Sequence, residues 1–427
     1  MSTRKTGRGA MKRCLMSRVA IVVLATVSAS CLGHEAAAQE ITWINPAGGN
    51  WHDAANWDPQ NVPNTDGEIA VIPDDGSAYT ITLGTNTSLA EIDFFNPLST
   101  LSLSDHNLHF YQPDGFTNYG TVLVDLGVSS VSGKVANMAG ARWDLLDDTS
   151  LTLNAIVFEN HGTIRLNPLL GPAGTSIAVY SSAQITGSGE LLMQTDGVGS
   201  TASIWTYYAT LTHGSDHTIR GGGNLRAQLN NYGTVNADRP GDPLFMYEGN
   251  RNNYGLLAAT AGGQLVIGSG TTSQYEEGQI FADDAEVLVN SSATINGGSF
   301  DTANGGYIVV DGEATTLTDV TQLGEMRISG QTQVQCQGTI TNDGDIYINH
   351  ALDDDPSRLR FYGGNATLAG NGTIHLQTLN DRDDAYLSTY YTTVTHDAGH
   401  TIEGGGTLDA AFSNAGTLRA DRPGDPL

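Results

Sequence analysis

Hydrophobic residues alternate with polar residues along this chain, in short runs separated by Gly, Asn and Asp. Phrases such as "ITGSGELL", "IRGGGNLR", "LAGNGTIH" and "IEGGGTLD" place glycine at a turn and then resume the alternation. A period of two is typical of β-strands, and glycine supplies the positive φ that tight turns require. No convincing window has apolar residues at the i, i+3, i+4 and i+7 positions of a helix. The pattern therefore predicts an all-β fold.

The turn-and-strand phrases recur with a period of roughly 20 residues, which is typical of β-solenoids. We expect a right-handed parallel β-helix, because stacked coils pair every backbone donor and bury a column of Val, Ile and Leu. From residue 39 onward the sequence predicts roughly 15–18 coils at about 4.8 Å spacing, and thus a rod about 80 Å long. An array of β-sandwiches is the alternative, but it predicts domain linkers, and none is visible.

An Asn-x-Gly phrase marks one recurrent turn. Asparagines at the same turn of successive coils can stack, each amide bonding to the next, so we predict a ladder and a structural role for these residues. The phrase begins at Asn118, Asn160, Asn231, Asn253, Asn342 and Asn414.

A unit of 183 residues is duplicated within the chain. At this constant offset Tyr208 matches Tyr391, and "GSGELLMQ" matches "GNGTIHLQ". The second copy stops at Leu427, in the middle of a phrase that continues in the first copy. A solenoid normally ends in a cap that covers its last coil. We therefore expect the sequence to be a piece of a longer protein.

Three segments are predicted. Residues 1–38 have a basic start, the apolar run "VAIVVLATVSA" and the small residues Ala36–Ala38, the pattern of an export signal that is cleaved. Residues 39–100 form a Trp-rich capping segment with the first coils, and residues 101–427 form the solenoid repeats. No later stretch is apolar and long enough to be a transmembrane helix. We expect an extracellular or outer-surface protein.

The chain is strongly acidic, with 46 Asp and Glu against 19 Lys and Arg, a formal charge of −27. Without residues 1–38 the charge is −32, and Lys134 is the one remaining lysine. Such a surface repels nucleic acid and anionic lipid, since phosphate binding requires basic clusters. The 39% of hydrophobic residues argues for a packed core rather than disorder. Cys336 is alone after the signal, which excludes an intramolecular disulfide there.

The repeats resemble the large exported β-solenoid surface proteins of bacteria, which are adhesin-like, autotransporter-passenger-like or beta-strand-repeat proteins of the kind common in planctomycetes. The resemblance lies in "HTIRGGGNL", "NNYGTVNA", "YGLLAATAGGQLVI" and the opening "TWINPAGGNWHDAANWDPQNVPNTDGEIAVI". It covers nearly all of the chain after residue 38. It implies a parallel β-helix, export and a surface role, and it implies no catalytic residues.

Four histidines are candidate metal ligands. They form two pairs with a spacing of four, His213 with His217 and His396 with His400. Even spacing on a strand puts both side chains on one face, which suits a metal site. However, no third ligand is duplicated with them, because Asp216 corresponds to Gly399. We favour ladder or turn histidines over a metal site.

Two acidic clusters are candidate calcium ligands. Calcium requires six to eight oxygens, which adjacent turns can supply. Neither cluster occurs in the first copy of the duplicated unit, so solvated loops are the favoured interpretation and calcium the alternative. No other cofactor is predicted. The candidates are Asp353, Asp354, Asp355, Asp381, Asp383 and Asp384.

Aromatic residues are the candidate carbohydrate contacts. Trp51 and Trp57 lie near the start of the repeats, where plugging the end of the core is favoured over stacking on sugars. Tyr208 and Tyr391 occupy equivalent positions in the two copies, each after another tyrosine. Because adjacent residues on a strand face opposite ways, we expect one tyrosine of each pair in the core and the other exposed.

Two functions remain open. The first is a secreted or cell-surface structural and adhesive rod that binds a polysaccharide or surface matrix through many weak contacts. The second is a β-helix polysaccharide lyase or hydrolase, or the accessory rod of one. GxSxG, HExxH, Walker A and GxGxxG motifs are absent. The first function is favoured, because a rod gains from every repeat whereas an enzyme needs one groove. The oligomeric state is not readable from the sequence.

Overall fold

Strands pair coil upon coil in three parallel ladders, which form the three faces of a β-helix. The computed structural model describes residues 38–195, 202–275, 277–290, 292–328, 330–352, 355–379 and 382–421. The predicted export signal therefore lies, up to residue 37, outside the described residues. The chain passes from face 1 to face 2 to face 3 and then begins the next coil. The predicted parallel β-helix is confirmed.

Faces 1 and 2 belong to one continuous hydrogen-bonded sheet, because four strands cross the corner between them. Those four are Val128–Asn137, Ser150–Asn160, Ala202–His213 and Gly223–Asn231. The other strands of face 1 are Thr87–Leu89, Leu108–Phe110, Thr175–Val179, Leu244–Met246, Gln264–Ile267, Glu286–Asn290, Tyr307–Asp311, Glu325–Ile328, Asp345–Ile348, Thr373–Leu376, Thr401–Gly404 and Thr417–Ala420. The other strands of face 2 are Gln39–Trp43, Glu68–Ile72, Glu91–Phe94, Phe116–Asn118, Ala183–Thr186, Arg251–Asn253, Gly270–Gln274, Ala293–Asn296, Thr315–Thr318, Gln333–Gln337, Ser357–Tyr362, Ala385–Tyr390 and Thr407–Asp409.

Face 3 is a single parallel ladder of 17 strands within the described residues, which begins with the pair Gly49–Asn50 and Thr80–Thr82 and ends with the pair Val394–His396 and Phe412–Asn414. At a spacing of roughly 4.8 Å this ladder is about 80 Å long. Its strands are Gly49–Asn50, Thr80–Thr82, Thr100–Ser102, Thr121–Val124, Arg142–Leu145, Thr163–Leu166, Glu190–Met193, Thr218–Gly221, Thr234–Ala237, Leu256–Thr260, Gln279–Asp283, Ser299–Ala303, Thr321–Gln322, Thr339–Asn342, Ala366–Ala369, Val394–His396 and Phe412–Asn414.

The core is a column of apolar side chains enclosed by the three faces. In strand Thr163–Leu166, for example, Ile164 and Leu166 are buried while Thr163 and Arg165 are only partly covered. Leu191 and Ile219 repeat this inward position in the next two coils. Burial of alternate residues removes apolar area from water at every coil, and this burial stabilises the stack.

The N-terminal end differs from the rest. Strand Trp57–Asp58 runs antiparallel to Gln39–Trp43, and it follows the 3-10 helix Ala54–Asn56. A second 3-10 helix, Arg382–Asp384, lies between faces 1 and 2 near the other end. Among the described residues no helix has the length and apolar character needed to cross a membrane.

The two copies of the duplicated unit lie on different faces. Strand Thr218–Gly221 belongs to face 3, where it pairs with Glu190–Met193. Its duplicate, Thr401–Gly404, belongs to face 1, where it pairs with Thr373–Leu376. The unit therefore does not contain a whole number of coils. Every feature that is repeated at the 183-residue offset is shifted by one face around the axis.

Candidate functional site

A chain of buried polar side chains follows the corner between faces 2 and 3 and contains the first histidine pair. Asn118 Nδ2 donates to Asn137 Oδ1 at 2.8 Å, and Asn137 Nδ2 donates to Asn160 Oδ1 at 2.7 Å. Asn160 Nδ2 then lies 2.9 Å from Nε2 of His217, whose Nδ1 lies 3.0 Å from Nε2 of His213. The first pair therefore continues the amide ladder.

The ladder continues beyond the histidines. His213 Nδ1 lies 2.6 Å from Asn231 Oδ1. Asn231 Nδ2 donates to Asn253 Oδ1 at 2.8 Å, and Asn253 Nδ2 donates to Gln274 Oε1 at 3.2 Å. The asparagine ladder expected from the Asn-x-Gly phrases is thus present, with the two histidines inserted in the middle.

The two histidines bridge a coil that contributes no side-chain amide to the ladder. In that coil Gly187 stands opposite Asn160, because Glu159 pairs with Thr186. A side chain at Gly187 is excluded, since a Cβ there would lie 2.3 Å from the backbone oxygen of Asn160. His213 ends its strand on face 2, and His217 lies at the turn before face 3. Together the two rings reach across the gap.

The second copy repeats this arrangement one face further around. Asn342 Nδ2 lies 3.0 Å from His400 Nε2, and His400 Nδ1 lies 2.9 Å from His396 Nε2. His396 Nδ1 lies 2.6 Å from Asn414 Oδ1. Gly370 stands where Gly187 stands in the first copy, opposite Asn342. The duplicated histidines therefore serve the same bridge in both copies.

The direction of the ladder fixes the protonation of the rings. Asn160 can only donate to His217 Nε2 if that nitrogen carries no proton, so the proton of each ring sits on Nδ1. Burial lowers the pKa of His213 to about 4 and that of His217 to about 3, the charge of His213 adding to the second shift. Burial also lowers the pKa of His400 to about 4. The rings of His213, His217 and His400 are therefore neutral at neutral pH.

Both ring nitrogens of every bridging histidine face a ladder partner. In the part of the chain that the structure describes, no group of three or more His, Cys, Asp or Glu is placed to hold a metal ion. The contacts are those of the ladder interpretation, which was favoured from the sequence, rather than those of a metal centre.

The acidic candidates that the structure describes, Asp355, Asp383 and Asp384, do not belong to any group of three or more potential metal ligands. Asp353, Asp354 and Asp381 lie outside the described residues. Asp355 accepts a hydrogen bond from Gln331, 3.0 Å away, in an exposed loop. Asp383 and Asp384 accept from Thr407 and from the backbone of Leu379 respectively.

The tyrosine pairs project from the surface as two tips, which we define as Tyr207–Tyr208 and Tyr390–Tyr391. Tyr208 and Tyr391 are each 88% exposed and share a left-handed φ of 51°. The expectation that one ring of each pair is buried is wrong, because Tyr207 and Tyr390 are also exposed. Residues 206–209 face a single residue of the next coil, Ala227, so the chain bulges and the strand alternation is lost.

Further aromatic rings surround the first tip. Tyr180 lies 5.3 Å from Trp205 and 6.1 Å from Tyr207, measured between ring centroids. At the second tip the guanidinium of Arg360 lies 5.8 Å from the ring centre of Tyr390. The first tip is therefore part of a larger aromatic patch, whereas a cationic group lies beside the second.

The tryptophan candidates are inaccessible. Trp51 and Trp57 are fully buried, their ring centroids are 4.8 Å apart, and Trp43 packs edge-on against Trp57 at 5.0 Å. Trp57 Nε1 donates to the backbone oxygen of Trp51 at 2.7 Å. Neither ring of the pair can stack on a sugar in this fold, and both belong to the core of the first coils.

Sequence reasoning missed three features. Asn137 and Gln274 belong to the ladder without an Asn-x-Gly phrase. Arg251 is buried, and its guanidinium donates to Thr272 and to three backbone oxygens. The third feature is a row of stacked tyrosines, Tyr232, Tyr254 and Tyr275. The "NNYG" phrases signalled two of these rings, but only the register of the coils aligns them.

A pair of carboxyl groups on face 2 has unusual electrostatics. Glu91 and Asp93 are two residues apart on one strand, so their side chains point to the same side. Burial, followed by the charges of Asp93 and Asp114, raises the pKa of Glu91 to about 7. Burial also raises the pKa of Asp93, although a hydrogen bond from Glu91 opposes the shift. Burial and the neighbouring negative charges thus favour the protonated form of both carboxyl groups.

Comparisons of the chain with protein-family models, with curated proteins and with solved structures found no match.

Proposed function

We propose that the protein is an exported rod that binds polysaccharide at a cell surface through repeated weak contacts. The observation that carries this proposal is the duplicated tyrosine tip, in which two aromatic rings are held out in solvent in the same conformation in both copies. Holding a tyrosine at positive φ is unfavourable and is typical of functional positions. Export by residues 1–38 is part of the proposal.

Exposed tyrosine rings suit a carbohydrate partner. An aromatic face packs against the C–H groups of a sugar ring, while the phenol hydroxyl bonds to its hydroxyl groups. One such contact is weak, and two on one rod give avidity when both can be engaged. The acidic surface repels nucleic acid and anionic lipid, which leaves neutral polymers as the most compatible partners.

The positions of the tips bear on how the rod would act. The first tip lies at the corner between faces 1 and 2, and the second lies at the corner between faces 2 and 3. A straight polymer lying along one corner contacts a single tip. The rod is therefore suited to connecting two polymer chains rather than to gripping one chain twice.

We expect residues 39–427 to be retained on a neutral polysaccharide and to cross-link it in solution. Tyr208→Ala or Tyr391→Ala alone should lower retention, because one of the two avid contacts is lost, and should weaken cross-linking, which is measured as the rise in viscosity or turbidity. The double variant should lower retention about a hundredfold, the range of a lost avid contact. Tyr111→Ala removes another exposed tyrosine outside the tips and is the control. Unchanged retention by the double variant would refute the role of the tips.

A polysaccharide-active enzyme is the second candidate, and the Glu91–Asp93 pair favours it. A carboxyl group with a pKa of about 7 beside a second carboxyl group is suited to general acid and base work near neutral pH. The same incubation separates the two functions, since an enzyme produces new chain ends and a binding rod does not. If new ends appear and Glu91→Gln abolishes them, the enzyme is the correct function.

A further inference from the structure

Three tyrosines stack on one another along the corner between faces 2 and 3. The ring centroids of Tyr232 and Tyr254 are 4.6 Å apart, those of Tyr254 and Tyr275 are 4.3 Å apart, and both ring pairs are within 7° of parallel. Each tyrosine directly follows a ladder amide, and the rings repeat at about the spacing of the coils. The buried ladder thus sets the positions of the exposed rings.

The stack ends at Tyr275 with one ring face uncovered. Ser273 pairs with Asn296, so the position opposite Tyr275 in the next coil is Gly298. No ring can follow there, because glycine has no side chain. Tyr232 and Tyr275 are each 44% exposed, whereas the middle ring is more covered. The coil spacing leaves room for one more flat ring above Tyr275.

A cavity of about 660 Å³ opens at this end of the stack. Its size is within the range of sites for small organic ligands. Beside the ring of Tyr275 and the bare backbone of Gly298, it is lined by the exposed carboxyl groups of Glu277 and Asp319 and by the side chains of Gln279 and Thr321. The site combines one aromatic platform with several hydrogen-bonding groups, most of which are acceptors.

This combination selects the chemistry of the ligand. A purely apolar ring would displace water from the carboxyl groups without replacing its hydrogen bonds, which is unfavourable, although Asp319 Oδ1 keeps the bond from the backbone N–H of Thr339. An acidic ligand would meet two like charges at short range. A pyranose ring satisfies both requirements, because its C–H face can pack on Tyr275 while its hydroxyl groups donate to the carboxylates. An amino group on the sugar would add a favourable charge.

We propose that the cavity at Tyr275 is a saccharide-binding site, in which a pyranose ring without an acid group takes the place of a fourth stacked ring. The proposal rests on the proposed function, since it names a second contact for the same class of partner. The site is separate from the tyrosine tips. At the 183-residue offset Tyr232 corresponds to Ala415, so the first ring of the stack is not duplicated.

The test is a titration of residues 39–427 with short oligosaccharides, followed by calorimetry. Neutral cello- and chito-oligosaccharides and amino-bearing chitosan oligomers should bind, and oligogalacturonate should not. Tyr275→Ala should weaken binding about tenfold or more, as expected for loss of an aromatic anchor. Tyr275→Phe should bind as well as the unmodified chain, because it keeps the platform. Glu277→Gln should weaken the amino-bearing oligomer more than the neutral ones.

Tyr232→Ala is the matched control. It removes the ring at the other end of the stack, where the residue opposite Tyr232 in the preceding coil is Gly214. Equal weakening by Tyr232→Ala and Tyr275→Ala would overturn the proposal, as would preferred binding of oligogalacturonate. If polysaccharide is retained through the tips but no oligosaccharide binds at Tyr275, this inference alone fails. If neither binds, the proposed function fails with it.

Discussion

His217→Ala is expected to destabilise the coils around the first histidine bridge by roughly 3 kcal/mol at pH 7.5. Asn160 Nδ2 keeps its hydrogen bond to the backbone oxygen of Glu190, but its second proton and His213 Nε2 are left buried without a partner, each at a cost of about 1–3 kcal/mol. It also opens a cavity in a packed corner. Coils of a solenoid open locally, so the free energy is measured by hydrogen exchange of strands Ala202–His213 and Gly223–Asn231.

His161→Ala is the control for this experiment. His161 lies on the same corner one residue after Asn160, but its ring is partly exposed and contacts Ser188 and Glu159. We expect its removal to change the opening free energy by less than about 1 kcal/mol, as for other surface positions. Equal effects of the two substitutions would contradict a structural role for the buried bridge.

The difference in opening free energy between the wild type and His217→Ala should become smaller as the pH falls. The unfolded chain binds a proton at His217 near the ordinary pKa of 6.5, whereas the folded chain does so only near 3. The wild type therefore loses stability as the pH falls from about 6.5, by roughly 3 kcal/mol at pH 4, and the variant is spared this loss. Carboxyl groups titrate in both proteins, so they cancel in the difference. Parallel pH profiles would mean that the ring is not held neutral.

The repeated phrases predicted the fold and the ladder because both follow from local patterns. Alternation and glycine turns indicate strands, and a period of roughly 20 residues indicates stacked coils. Asn118, Asn160 and Asn231 were recognised because they share one phrase. Asn137 was not, because membership of the ladder depends on register with the neighbouring coil and not on the residues that follow it.

The sequence favoured a structural role for the histidine pairs, but it did not predict the geometry of the bridge. A spacing of four suggested one face of one strand, whereas His213 and His217 lie on either side of a corner. The reason for two rings is the missing side chain at Gly187 in the coil between Asn160 and His213. That coincidence across coils becomes visible only when the strand pairing is known.

The tyrosine tips show where the alternation argument ends. Side chains alternate between the two sides only where a strand is paired without interruption. At Tyr208 the chain has three residues more than the next coil, because residues 206–209 face Ala227 alone. The second tip has the same excess, since residues 389–393 face only residues 410–411. A local insertion of this kind does not change the period of roughly 20 residues, so the sequence pattern does not reveal it. Its recurrence at the 183-residue offset nevertheless marks it as a feature of the duplicated unit.

Gly221→Ala is expected to destabilise its corner by about 3 kcal/mol or more. In "IRGGGNLR" the chain turns from face 3 to face 1 without a loop, and Gly221 has a φ of 110°. A Cβ there would lie 2.0 Å from the backbone oxygen of Met193. That oxygen belongs to the neighbouring coil of the same ladder and cannot move away without breaking the sheet. The clash adds to the cost of about 1–2 kcal/mol for a side chain at positive φ.

Gly241→Ala separates the two contributions. Gly241 also has a positive φ, 74°, but a Cβ there would meet nothing within 4 Å. Its substitution should therefore cost only about 1–2 kcal/mol, which is the backbone contribution.

Gly404→Ala should match Gly221→Ala, since a Cβ at Gly404 would lie 2.1 Å from the oxygen of Leu376. Hydrogen exchange of strands Glu190–Met193 and Thr373–Leu376 measures both effects. If Gly241→Ala is as damaging as Gly221→Ala, backbone conformation alone requires these glycines. If Gly241→Ala is milder, Gly221 and Gly404 are required because successive coils approach closely there, on face 3 in the first copy and on face 1 in the second.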